Sequence, residues 1–427
     1  MNRFRGFVNK VRQNLWRLSE LNSTVVTGIG VVSPLGSGVD VFWRELNAGA
    51  SGIDFISSFD THSFPCRIAG EVRDLKFRDY LSRAQIGYYP RATQLACVAF
   101  ALAKLDASID QFDPVRTDVL VGSASNAFDY IDKEALRNNV ASFGAFDPTG
   151  IAKLNVNCTA TAIAAQERIN GRVATVSTAC ASGVTALGMA VERVSLGLAD
   201  TVIAGATDIG VTRFLLNLFC SAKFVSFEKL DPGKAVLPFD EARTRSVLAD
   251  GACFFIVESE RLARRRGAKI YGRLSAFSQV NENVGSLFET DKTGSSWASA
   301  IRSVLEQSPG DIDYVNAHAT GDESLDAVEV KALEEVFRDR PAPYVSSIKG
   351  AIGSPFAAAG ALQVASTLLA LKEQKIPPNR GLVNPLLTSR LKLVGDVGKD
   401  QTIRRALVNS RGLGGINASI ICERYVV

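Results

Sequence analysis

The stretch Val173–Ala190 (V-A-T-V-S-T-A-C-A-S-G-V-T-A-L-G-M-A) restricts the fold of this chain more than any other. Val173–Ser177 carries no charge and is β-branched at three of its five positions, which predicts a short buried strand. Thr178 to Gly183 are all small and allow a tight corner from strand into helix. From Val184 onward the run is apolar and rich in Ala and Leu, as a buried helix requires. Cys180 is thereby placed at a helix N-terminus, where the dipole and unpaired N–H groups favour thiolate over thiol. Its small neighbours leave room for a substrate carbonyl. An isolated cysteine is most often a core residue, so the choice between packing and nucleophilic chemistry rests on what the rest of the chain supplies.

The flanking pattern is that of a layered α/β protein. Thr24–Val32, Asp118–Gly122, Asp200–Gly205 and Gly251–Val257 read as strands, the first broken by Gly28 and Gly30, and Arg91–Asp106 as a helix. After Lys269 the pattern begins again. Strands are expected at Ile270–Ser278, Tyr314–Asn316, Arg405–Asn409 and Ala418–Arg424, and helices at Ser295–Gln307, Asp326–Val336 and Ala361–Gln374. Two halves of comparable order follow, residues 23–267 and 268–427, without a clear sequence repeat between them. Pro377-Pro378-Asn379 marks an exposed turn. The G-x-G of Gly28 and Gly30 lacks the third glycine and the acidic residue of a nucleotide fold, which rejects that reading.

Composition narrows the function. No uncharged run of about 18 apolar residues argues for a membrane span. The net charge of +4 is mild and its Lys and Arg are spread along the chain, which suits an acidic protein partner better than nucleic acid. The seven cysteines are odd in number and form no C-x-x-C pair, so neither a disulfide framework nor a metal site is expected, and a reducing cytoplasm fits. His62 and His318 are the only histidines, which leaves few candidates for acid–base work. Residues 1–22 place Phe4, Phe7, Val8, Val11, Leu15 and Leu18 on one helical face among basic residues. A helix docking on the body, one touching a partner or membrane surface, and a transit peptide all fit that pattern.

Three later stretches carry the glycines and polar groups of active-site loops. They are Val315–Asp322 (V-N-A-H-A-T-G-D), Ser346–Pro355 (S-S-I-K-G-A-I-G-S-P) and Asn409–Ala418 (N-S-R-G-L-G-G-I-N-A). His318, at a strand end among small residues, is expected to face a cleft. The glycines of the third stretch can bring backbone N–H groups close to a substrate oxygen.

With T-A-C-A-S-G, V-T-G-I-G-V-V-S-P-L-G near the start and P-F-D-E-A-R at Pro238–Arg243, these motifs resemble the β-ketoacyl-acyl carrier protein synthases, the elongating condensing enzymes of fatty acid and polyketide synthesis. The resemblance runs in order from Thr24 to the C-terminus. It implies a thiolase-like fold of two related α/β halves in a layered αβαβα core, normally a homodimer. It implies an acyl carrier protein as partner, whose phosphopantetheine brings the substrate, with no cofactor of the chain's own. Cys180 becomes the nucleophile, the N–H groups of Cys180 and Leu413 the oxyanion hole, and His318 the group facing the malonyl thioester. Thr320, Asp322, Arg411, Gly412 and Gly414 border the substrate and its pantetheine arm, while Lys349 and Glu329 support the site from behind.

The chain departs from the family pattern in the same pocket. Ser354 stands where a second histidine is usual, and a hydroxyl is a neutral donor that cannot carry positive charge. Loss of one such charge-assisted bond is expected to slow decarboxylation by roughly 10²–10³, with acyl transfer to Cys180 less affected. Asp322 replaces a threonine, Arg411 an aromatic residue and Leu413 a gating phenylalanine, and Arg245 and Ser246 are further irregularities. The expectation is a remodelled pocket in which Arg411 pairs with Asp322 or binds a carboxylate or polar substituent of an unusual acyl unit. Three functions compete: decarboxylative condensation in a specialised pathway, acyl transfer to another acceptor with His318 as base, and a non-catalytic partner subunit of a ketosynthase heterodimer.

Overall fold

The computed structural model describes residues 23–426 apart from 126, 138–146, 229–230, 387 and 389. The amphipathic segment 1–22 lies outside the described residues. Ten principal strands build one continuous sheet, and the two halves use them identically. In the first half β1 (Thr24–Ser33), β2 (Thr117–Gly122), β3 (Val173–Val176), β4 (Thr201–Ile209) and β5 (Asp250–Ser259) lie in the order β3-β2-β4-β5-β1. In the second, β6 (Gly272–Asn281), β7 (Tyr314–Asn316), β8 (Tyr344–Ser346), β9 (Arg405–Gly412) and β10 (Ile416–Arg424) lie in the order β8-β7-β9-β10-β6. Each half pairs its first three neighbours in parallel and its last two in antiparallel fashion. A short antiparallel contact of β1 with β6, Val25 opposite Arg273 and Val26 opposite Gly272, joins them. The duplication absent from the sequence is thus plain in the topology.

The helices complete five layers. α1 (Arg91–Asp106) covers the outer face of the first half; α4 (Ser295–Gln307) and α5 (Glu323–Val336) cover that of the second. Between the halves lie α2 (Ser182–Ser195) and α6 (Ala357–Glu373), each packed on strands of both, while α3 (Arg213–Ser221) lies over the site. α6 is buried from Ala357 to Leu371, so its sequence is apolar all round and shows no amphipathic stripe. α2 and α6 meet at two glycines. A Cβ on Gly183 would stand 2.6 Å from Ala357 O, and one on Gly360 would stand 2.8 Å from the Val184 side chain.

Three local expectations need correction. β1 is not broken by its glycines but runs through them with a bulge between Val26 and Gly28. Those glycines admit α1 instead, since a Cβ on Gly30 would stand 1.8 Å from Ala99 O. β3 is half-buried rather than buried, because it forms the outer edge of its sheet. Pro377-Pro378-Asn379 is buried, not exposed: the Asn379 side chain accepts from Ser347 N–H at 2.6 Å and donates to Val394 O at 3.0 Å, acting as a buried turn brace.

Candidate active site

The corners leading into α2 and α6 occupy equivalent places in the two halves, and both open on one cleft of about 350 Å³. Cys180 stands at the first corner and Ser354 at the second. Beside them Ala179 (φ 49°) and Phe356 (φ 43°) adopt left-handed backbone without being glycine, a strain that the surrounding packing holds in place. The Cys180 corner is tied down by Thr178 N–H donating to Ser182 Oγ at 2.8 Å, and by Ser410 Oγ of β9 donating to Cys180 O at 3.1 Å. Ser354 is held through its backbone, its N–H donating to Val247 O at 2.9 Å.

The same cleft is lined by His318, Thr320, Asp322, Arg411 and Leu413. Gly412 lies behind the wall, where a Cβ would stand 2.2 Å from Thr178 O; only glycine lets this loop press against the Cys180 corner. Gly414 (φ 89°) donates its N–H to Leu287 O at 3.2 Å. Leu413 is about half exposed at the mouth.

His318 is set by its surroundings. The N–H of Arg411 donates to its Nδ1 at 3.2 Å, and the Lys349 ammonium stands 3.4 Å from the same atom. With Nδ1 accepting, the neutral ring carries its hydrogen on Nε2, the edge left for the cleft. Burial, then Lys349 and Arg411, push the imidazole well below its ordinary value, so it is neutral.

Lys349 and Glu329 sit behind this ring, both fully buried, but they do not form a direct ion pair. Glu329 accepts from the N–H groups of His318 at 2.9 Å and Ala319 at 2.8 Å, whereas Lys349 donates to the His318 carbonyl. They grip opposite faces of one peptide segment. Burial lowers Lys349 to about 8 against the opposing pull of Glu329, and burial raises Glu329.

One expectation about charge is overturned, and a second meets an opposing effect. Arg411 pairs with neither Asp322 nor an open position for a substrate carboxylate. Its guanidinium makes a two-pronged contact with Glu282, Nε to Oε1 at 2.7 Å and Nη2 to Oε2 at 3.0 Å, and also donates to Glu289 O. Asp322 is spent on capping α5, accepting from Ser324 N–H at 2.9 Å and Leu325 N–H at 3.0 Å. Against the helix position of Cys180, burial raises its thiol to about 11, with Lys349 and Arg411 pulling down and Asp208 pushing up.

Sequence reasoning missed Glu282, which lies 129 residues from Arg411 on the loop after β6. Asp326, to which sequence reasoning gave no role, accepts from Thr320 N–H at 2.9 Å and Phe239 N–H at 3.0 Å and is raised by burial to about 7. An acidic residue three positions before Glu329 on the first turns of α5 was the available signal. The aromatic wall of the cleft, Phe219, Phe224, Phe288 and Phe356, comes from segments that no motif marked. Among the described residues no group of three or more His, Cys, Asp or Glu could hold a metal ion, and no helix is long and apolar enough to cross a membrane.

Residues 22–263 match the beta-ketoacyl synthase N-terminal domain and residues 271–383 the C-terminal domain. The chain is 32% identical over 94% of its length to 96% of the tetracenomycin polyketide synthase ketoacyl synthase alpha subunit of Streptomyces glaucescens. It is 29% identical over 95% of its length to 99% of the 3-oxoacyl-[acyl-carrier-protein] synthase 2 of Coxiella burnetii. Among solved structures, a beta-ketoacyl synthase from Burkholderia phymatum superposes with a TM-score of 0.88 at 25% identity, and the ishigamide ketosynthase/chain length factor with 0.87 at 28%. Both superpositions cover 95% of this chain and the whole of the other.

Proposed function

The chain belongs to the beta-ketoacyl synthase family, and on that footing we propose that it condenses an acyl group held on Cys180 with a malonyl unit on a carrier protein. Cys180 attacks the thioester carbonyl of an acyl-carrier protein, forming its own thioester and releasing the carrier thiol. The N–H groups of Cys180 and Leu413 are the donors assigned to the tetrahedral oxyanion. The malonyl thioester then enters beside His318. Its carboxylate carbon leaves as carbon dioxide, the freed electron pair passes to an enolate, and the enolate carbon attacks the Cys180 thioester and expels the thiolate.

The observation that carries this reading is the Arg411 N–H on His318 Nδ1. It leaves Nε2–H as a donor toward the cleft, suited to the carbonyl oxygen on which enolate charge builds. A base that deprotonates an alcohol or amine acceptor needs a bare Nε2, so the same geometry counts against simple acyl transfer. Cys180, His318 and Lys349 would have no task in a purely structural subunit. Ser354 supplies a neutral hydroxyl at the second corner and takes the place of a charged donor. The half-buried edge strand β3 suits pairing with a second copy or a ketosynthase-like partner, and the seven free cysteines suit a reducing cytoplasm.

The test is intact-mass spectrometry of the purified protein given acyl-carrier protein with and without malonyl-carrier protein. Condensation predicts an acyl adduct on Cys180 alone, then carbon dioxide release and an extended chain when malonyl-carrier protein is added. An adduct without carbon dioxide or extension would assign acyl transfer. No adduct would assign the subunit role.

A further inference from the structure

Asp208 lies at the end of β4, fully buried, and no motif singled it out. Its carboxylate gathers donors from both halves of the molecule. Oδ1 accepts from Ser123 Oγ at 3.0 Å and Ser125 N–H at 2.8 Å, and Ala124 N–H reaches both oxygens at 3.1 and 3.0 Å. Oδ2 accepts from Ala357 N–H at 2.8 Å, the first residue of α6. Ala124 and Ser125 form one wall of the cleft's apolar end, and Phe356, adjacent to Ala357, forms another with Phe219 at 5.3 Å. One carboxylate therefore spans the seam between the halves at the place where an apolar acyl chain would lie.

We infer that Asp208 is a positioning residue that sets the width of the apolar end of the cleft, clamping the Ala124–Ser125 wall to the N-terminus of α6. The part that concerns acyl chains rests on the ketosynthase reading. Its second effect does not. A carboxylate this close to the site also acts on Cys180, where its repulsion opposes Lys349 and Arg411 and helps keep the sulfur protonated. Burial raises Asp208 to about 6 against the N–H donors, so it is ionised at neutral pH.

Asp208→Asn tests both effects. Whichever way the amide is turned, its NH₂ faces N–H donors, so the clamp opens on one side while the shape is kept. Alkylation of Cys180 by iodoacetamide at about pH 8 is expected to quicken roughly threefold to tenfold, because a lost negative charge lowers the thiol value. The ratio of Cys180 acylation rates from a long-chain and a short-chain acyl-carrier protein is expected to change at least about threefold. A merely structural residue would lower both rates together and quicken neither. Asp208→Glu keeps the charge but displaces the clamp; it should alkylate like the wild type and still change the chain ratio. If Asp208→Asn does not fold, a folded Asp208→Glu with an unchanged chain ratio overturns the inference. A folded Asp208→Asn whose alkylation rate and chain ratio both match the wild type overturns it directly. Absence of any acyl adduct in the wild type would instead strike the proposed function, and the alkylation rate would still decide the effect of Asp208 on Cys180.

Discussion

The backbone N–H of Arg411 meets Nδ1 of His318 at 3.2 Å, and through this contact the glycine-rich loop dictates which nitrogen of the ring carries hydrogen. The donor is a main-chain group, so the family's aromatic residue at this position can become arginine without altering the tautomer. His318→Ala removes the Nε2–H donor and leaves the Cys180 corner intact. Malonyl-dependent carbon dioxide release should fall by roughly 10²–10³, while the acyl adduct seen by intact mass persists.

The raised Cys180 thiol sets a pH dependence. A folded value near 11 lies above that of free cysteine, so the thiolate fraction, and with it iodoacetamide alkylation, should keep climbing beyond about pH 8.5. A plateau below that pH, measured on the apo-protein, would show a preformed thiolate.

The Arg411–Glu282 pair is buried, with side chains 5% and 1% exposed. Arg411→Met leaves a carboxylate without its cation and should destabilise the fold by about 3–5 kcal/mol in urea denaturation. The double variant Arg411→Met/Glu282→Gln should recover much of that loss. Burial would raise the Glu282 carboxyl, but hydrogen bonds from Arg411 and Asp291 N–H carry it below its ordinary 4.5. A depressed carboxyl gives stability present above the unfolded value and lost as pH falls through the folded one. The advantage of the wild type over the double variant should accordingly shrink on acidification below about pH 4.5.

Gly412→Ala places a methyl against Thr178 O and must push the loop off the Cys180 corner. Acylation of Cys180 should drop by about 10² or more, the size of a lost oxyanion donor. Gly87→Ala, where a Cβ meets nothing within 4 Å, should leave acylation rates unchanged in the same assay.

Ser354→His restores an imidazole at the second corner. Condensation should quicken by about tenfold or more with acylation unaltered, measured as product formed per acyl-enzyme in a single turnover. An unchanged rate would show that the hydroxyl does not limit this step.

The α/β alternation was legible because each element satisfies a local rule. Arg91–Asp106 and Ser295–Gln307 have the bounds their composition suggests, and the small residues around Cys180 mark the corner that the structure contains. α6 was legible only in part: a helix buried on every side has no polar stripe, and its first turn hides in a run of alanines. Long-range pairings were illegible for a different reason. Nothing local tells Arg411 to choose Glu282 over Asp322, because the choice is made by which loop the β6–β10 pairing brings alongside. Asp208 was missed for the same cause, since its partner on α6, Ala357, is 149 residues away.

The glycine-to-glycine crossing of α2 and α6 has a wider consequence. The two halves repeat one strand order, and each sends the corner ahead of its central helix into the same cleft, Cys180 from one and Ser354 from the other. Chemistry that needs a nucleophile facing a different polar group can arise there only once the copies diverge. The asymmetry of this cleft lies in its side chains, set on a backbone plan that the two halves share.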